Sequence, residues 1–405
     1  MNRIKITAII SMCVAFAIAF SGCTTWNNFK AAFIDNSQND DLKIQIGILE
    51  PVTGADSEAA AEEIRGIQLA NEAHPTVNGK QISLVFSDNK SDIDATETAI
   101  QTLISKKPLV ILGSYGSAYS LAASKYVRKA KIPTITMTNT NPLVTRNNDY
   151  YFRVCYVDSY QGDLLARYVL EEKKATKAGV LIPEENDAAL AMATAFTDRI
   201  KAETGDDDSI PLYEYYKTGQ RDYSDLIEKI ERENVDYVLI AGDYTDAANI
   251  VSQAAQQGSG VQFLGDTTWE GEAFRDKLDS NVSPDNLAFV KFFVTDNNID
   301  SEAETKERKV FLETYANKYG TDSVPSDNMA LGYDAYFVAV DIIDKASDDA
   351  TSEEIAELLA NPQYSFDGAT GSINFNSDGD PIKTAYISTW KGKMTETIAT
   401  INPME

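Results

Sequence analysis

"PLVILGSYGSAYSLAA" (residues 108–123) decides how this chain is read. An aliphatic run, Leu109 to Leu112, stops at Gly113. Small and hydroxylated residues follow, and then a helix-forming stretch. A strand, a small-residue turn and a helix N-terminus together suit an anion. The first N–H groups of a helix lack acceptors within it and carry partial positive charge. Three anions are open: a nucleotide phosphate, a covalent intermediate at a serine, and a small ligand's carboxylate.

Outward from this stretch, strand-like runs alternate with amphipathic helical ones. "KIQIGIL" (43–49) and "QISLVFS" (81–87) read as strands. "SEAAAEEIRGIQLANEA" (57–73) places Ile64, Ile67, Leu69 and Ala70 at helical spacing. "SDIDATETAIQTLI" (91–104) opens with capping residues and continues as a helix. Beyond "IPTITMT" (132–138) the rhythm persists to "QFLG" (262–265). Strict alternation of this kind argues for parallel sheets covered on both faces, an α/β fold. The strands are too many for one modest sheet, so two doubly wound lobes are expected. After about residue 290 two helical stretches and turn-rich strands break the rhythm, as if the chain returns to pack on earlier lobes.

The ends and the charge bound the setting. Arg3 and Lys5 precede an apolar stretch, Ile6 to Phe20, of signal-peptide length and short for a membrane span. Ser21-Gly22-Cys23 follows and resembles a bacterial lipobox, with Phe20 where a leucine-like residue is usual. The expectation is a signal peptide over 1–22, a lipid on Cys23 and a tether over 23–42. A net charge of −26 excludes nucleic acid and a purely electrostatic hold on anionic lipid. Of the three cysteines, Cys13 leaves with the signal and Cys23 is acylated. Cys155 then stands alone, without an intramolecular disulfide.

The three anions separate on missing residues. No GxxxxGK[ST] and no GxGxxG occurs at the turn, which sets the phosphate aside. No GxSxG elbow occurs, and the single histidine, His74, precedes a proline in a turn. Ser117 and Ser120 therefore lack a base. "SDNK" (87–90) fits SxxK, but "KTG" (217–219) precedes the second "SDN" (326–328), the wrong order for a penicillin-binding pattern. One histidine and one remaining thiol leave no zinc set, and no EF-hand loop appears; neither a metal nor a cofactor is expected. The third option is a carboxylate at Ser117 and the helix start behind it. "TMTNTNP" (137–142 and the preceding Thr136) adds Thr138 and Thr140 at the end of the next strand. Ligands gather at the carboxyl ends of such strands. Simple strand-to-helix loops with Ser and Thr caps fit the same residues.

The whole span from about 43 to 395 resembles the solute-binding proteins of branched-chain amino-acid ABC transporters, with the type I periplasmic-binding fold. "IGILEPVTG", "GSYGSAYSLAASKYVRKAKIPTITMTNTNPLVT", "FRVCYVDSYQG", "ERENVDYVLIAGDYTDAANIVSQAAQQG", "QFLGDTTWEGEAF" and "FDGATGSINFNSDGDP" carry the resemblance in family order. It implies two Rossmann-like lobes joined by three crossovers, lobe 1 from 43–157 and 293–368, lobe 2 from 158–292 and 369–405. It implies a ligand carboxylate met by Ser117 and by groups at Thr138 and Thr140, and an ammonium met by Asp243 or Asp266. The leucine-binding type has a tyrosine at the first of these places and a glutamate near the second, so which aspartate serves is open. Trp269 is either a pocket wall or a core residue. Tyr115 and Tyr119, flanking Ser117, either stack on a ligand or pack. The implied partners are an amino acid, an ABC permease with its ATPases, and the membrane through the lipid. The protein is expected to be monomeric, outside the cytoplasm, and not an enzyme.

Overall fold

The computed structural model describes residues 43–296, 298–299 and 304–403. The expected signal peptide, Cys23 and its tether lie outside these residues.

The first lobe starts with β1 (Lys43–Glu50), a strand buried along its second half, and α1 (Ser57–Ala73). The hairpin β2 (Thr76–Val77) and β3 (Lys80–Asp88) leads to α2 (Ile93–Ser105), whose N-terminus is capped by Asp92 accepting from the Ala95 N–H at 2.7 Å. Then come β4 (Val110–Gly113), α3 (Ser117–Ala130), β5 (Thr134–Thr136) and β6 (Tyr151–Arg153). The sheet order is β2-β3-β1-β4-β5-β6, parallel except for the hairpin.

The second lobe repeats the plan. α4 (Asp158–Arg167) runs on as a π turn to Glu172. β7 (Gly179–Pro183), α5 (Asp187–Thr204), β8 (Leu212–Tyr216), α6 (Ser224–Glu233), β9 (Tyr237–Ile240), α7 (Tyr244–Gln256), β10 (Gln262–Gly265), the short α8 (Glu272–Arg275) and β11 (Leu287–Lys291) follow. The chain then builds α9 (Lys306–Tyr319), α10 (Asp327–Lys345), α11 (Ser352–Leu359) and the hairpin β12 (Phe366–Gly368) and β13 (Gly371–Ile373). It ends in β14 (Ala385–Lys391) and β15 (Met394–Ile401), which join the second sheet antiparallel, giving β15-β14-β11-β10-β9-β7-β8.

α10 returns to the first lobe and packs on α1 at backbone distance. A Cβ on Gly66 would lie 2.0 Å from the Met329 carbonyl oxygen, and one on Gly332 would lie 2.2 Å from that of Glu63. Only glycine at both places lets the helices approach this far. Residues 374–382, grouped with the second lobe on sequence, hydrogen-bond to the first. The Arg153 N–H donates to Gly379 O at 3.1 Å and the Thr145 hydroxyl to Asp380 at 2.8 Å.

Three chain segments cross between the sheets, and Tyr156 touches all three. It lies in the first, its ring is 5.0 Å from that of Phe292 in the second, and its hydroxyl donates to Thr384 O at 2.6 Å in the third. Beside it, Lys291 at the end of β11 pairs with Glu270 at 2.7 Å and with Asp327 of α10 at 3.1 Å. Asp327 also accepts the N–H groups of Phe292 and Phe293. Among the described residues no helix is long and apolar enough to cross a membrane.

Candidate functional site

The carboxyl ends of β1, β4 and β5 lie side by side, Leu49 opposite Gly113 and Leu112 opposite Ile135. The turn after β4 and the loop after β5 are therefore neighbours. Ser117 is the first residue of α3, and its Oγ accepts the Asn141 N–H at 3.4 Å. Gly116 O takes the N–H groups of Tyr119 and Ser120, so the donors of the helix start are those of Ser117 and Ala118. This is the anion-type half-site that the sequence suggests.

Arg153 holds the second loop from below. Its fully buried guanidinium donates to the carbonyls of Asn139 and Asn141, the latter at 3.0 Å, and pairs with Asp380 at 2.6 Å. Asn139 in turn donates to Ser120 on α3.

The expectation for Thr138 and Thr140 covers main-chain as well as hydroxyl groups, and the structure gives the hydroxyls these neighbours. Thr138 donates to Glu63 Oε1, and Thr140 lies beside the Asp158 carboxyl. With its hydrogen given to a carboxylate, the Thr138 hydroxyl presents lone pairs rather than a donor.

Asp158 begins α4, its N–H bonded to Thr140 O at 3.0 Å. It is nine-tenths buried, and its Oδ2 has no partner. Burial pushes its carboxyl up to about 6; Thr140 opposes this and the charge of Asp266 adds to it. Three residues on, Gln161 accepts the Thr267 N–H at 3.1 Å and fixes the turn after β10. Neither residue stands out in the sequence, because both fall within an ordinary helix start.

Asp243 and Asp266 occupy matching places after β9 and β10. Asp243 is exposed and caps α7 through the Thr245 N–H at 2.7 Å. Asp266 caps the next turn through Thr268, and burial raises its carboxyl, with Asp243 contributing repulsion. Asp158, Asp266 and Asp243 thus form an acidic row across the second-lobe side.

Trp269 stands apart from this row. It is fully buried, stacks on Phe274 at 4.6 Å, and lies so close to Gly265 that a Cβ there would collide with its ring. It packs the second lobe's core. Tyr119 donates to Asp56 at 2.6 Å and ties α3 to the loop after β1. Tyr115 is partly buried, and its N–H donates to Glu50 Oε2 at 2.8 Å. Burial and the charges of Glu63, Asp56 and Glu50 push its phenol up to about 12. Among the described residues no group of three His, Cys, Asp or Glu side chains is placed to hold a metal ion.

The model of the periplasmic binding protein family matches residues 43–395. A Leu/Ile/Val-binding protein homologue of Brucella abortus is 26% identical over 361 residues, covering 85% of this chain and 89% of its own length. The leucine-binding protein of Thermotoga maritima superposes with a TM-score of 0.73 at 30% identity, covering 89% of this chain and 99% of its own. A branched-chain amino-acid transporter binding protein of Streptococcus pneumoniae, solved with isoleucine, gives 0.70 at 27% identity over 89% and 100%.

Proposed function

Since the chain belongs to the periplasmic binding protein family, among the binding proteins of branched-chain amino-acid ABC transporters, we propose that it captures an amino acid between its lobes. The observation that carries this is the opposition of two charges across one cleft. Ser117 and the start of α3 form a donor-rich pole. Asp158 and Asp266 form an anionic pole. A zwitterion satisfies both, whereas a simple anion leaves the aspartates unpaired, at a cost that grows with desolvation.

Capture proceeds by hinge closure about the three crossovers, with Tyr156 as the common contact. The closed form delivers the ligand to a permease driven by ATPases. Cys23 carries the lipid that keeps the monomer at the outer face of the cell membrane, or in the periplasm where an outer membrane exists. The relatives' names and the isoleucine-bound neighbour support leucine, isoleucine and valine as the first ligands to try.

A thermal-shift screen across amino acids and small amides tests the capture. A ligand present at a hundred times its Kd stabilises the folded state by about 2.7 kcal/mol, a readable rise in Tm. A rise with branched-chain or related amino acids supports the reading, and silence across all amino acids refutes it. A rise with amides alone redirects it to a different solute. Fatty-acid labelling that disappears in Cys23→Ser tests the anchor.

A further inference from the structure

Behind the two loops lies a pair of carboxyl groups that capture as described does not use. Glu50 closes β1 and Glu63 lies on α1; both are fully buried, and near enough that each shifts the other's titration. Glu50 Oε2 accepts the Tyr115 N–H, and Glu63 Oε1 accepts the Thr138 hydroxyl. The remaining oxygens, Glu50 Oε1 and Glu63 Oε2, are buried without a donor from any other residue. Gly113 makes room for the pair, since a Cβ there would lie 2.6 Å from Glu50 Oε1.

No cation offsets them. Among the described residues neither carboxyl forms an ion pair with Lys or Arg. The titratable groups facing them are Tyr115 from the turn after β4, with Asp56 of the loop after β1 beyond it, and Cys155 of the first crossover. α10 meets Glu63 through Gly332 and the main chain, which brings no charge. Two bare carboxylates in contact and out of water are too costly to persist, whereas one proton between them supplies a donor and an acceptor.

We propose that Glu50 and Glu63 share one proton, and that the negative charge left on the pair fixes the Thr138 hydroxyl as an acceptor for the ligand's ammonium. The second half rests on the amino-acid reading above. Glu63 takes the hydroxyl hydrogen, so Thr138, a partly exposed residue, keeps only lone pairs to offer from its hydroxyl. Glu50 holds the main chain of the Ser117 turn at the same time. The pair acts as a positioning device that sets which loop receives which end of the zwitterion. The direction of its titration agrees: burial raises both carboxyls, Glu63 raises Glu50 further, and Glu50 in turn lowers Glu63.

Two measurements test this. Infrared difference spectra of the unliganded full chain, taken near neutral pH, should show one protonated-carboxyl band that either Glu50→Gln or Glu63→Gln removes. Absence of a common band overturns the shared proton. In calorimetric titrations with leucine, Thr138→Val and Glu63→Gln should each weaken binding roughly tenfold to a hundredfold, the range for a lost bond to a charged group. The double variant should lose no more than either single one, Thr138→Ser should restore affinity, and 4-methylpentanoate, which lacks the amino group, should be indifferent to both changes. Additive losses, or equal losses for both ligands, overturn the ammonium role. A wild-type chain that binds no amino acid refutes the capture reading and the ammonium role together, while the infrared band decides the shared proton independently.

Discussion

Replacing Asp380 by alanine strands a charge in the first lobe. Arg153 is fully buried, and its Nε lies 2.6 Å from Asp380 Oδ1. Its remaining donors go to Asn139 O, Asn141 O and the Thr145 hydroxyl, all neutral acceptors. Arginine cannot shed its proton to escape. Removing one partner of a buried pair costs about 3–5 kcal/mol, much of a net stability of roughly 5–15 kcal/mol. Urea unfolding followed by far-UV circular dichroism measures the loss. Tryptophan fluorescence supplies a second probe, because Trp269 and Trp390 both lie in the second lobe's core. The double variant Arg153→Met, Asp380→Leu removes both charges and should recover most of the stability. It should not recover affinity, because the loop at 139–141 has lost the cation that anchors its carbonyls. A loss below about 1 kcal/mol in Asp380→Ala, the range of exposed pairs, would refute the reasoning. So would a double variant that binds as tightly as the parent.

Ser117→Ala should weaken the best ligand by about 1–3 kcal/mol in calorimetry, since a ligand carboxylate loses a donor; unchanged affinity removes Ser117 from the site. Gly332→Ala should lower Tm although alanine is the better helix former by about 1 kcal/mol. Its Cβ meets Glu63 O at 2.2 Å, and parting α1 from α10 costs more than the propensity returns. Lys383 is buried, and burial brings its ammonium down to about 8 despite the charge of Asp334. The unfolded chain keeps that proton up to about 10.5, so the penalty is whole below pH 8 and is relieved as pH rises between the two values. Urea midpoints should climb across that window by the equivalent of about 3 kcal/mol, and Lys383→Met should flatten the climb.

The parts of this molecule legible in the sequence are those where neighbouring residues decide the outcome. α1 spans the residues its periodicity predicts, and β8 and β10 match their aliphatic and aromatic runs, because each element's pattern is local. β6 and β11 escape notice, as "YFR" and "LAFVK" run straight into the aromatic residues of the crossovers, and nothing local marks where pairing stops. The Ser117 turn is legible for the same local reason. Trp269 is not, because whether an indole faces a cleft or a core depends on Gly265 and Phe274 packing against it. The acids divide likewise. Asp243 and Asp266 are visible as residues opening a turn, and the structure finds both of them capping one. Glu50 and Glu63 leave only a faint trace. Glu50 ends an aliphatic strand, and Glu63 sits beside Ile64 on the buried face with Ala60 and Ile67, where an apolar residue belongs. An acid at an apolar position of a helix is a local inconsistency, and such inconsistencies survive when something elsewhere compensates them. Here the compensation comes from another strand end and another loop, Glu50 and Thr138, joined only by the fold. The misplaced acid, more than the glycine-rich turn, is therefore the mark by which this buried carboxyl cluster could have been sought.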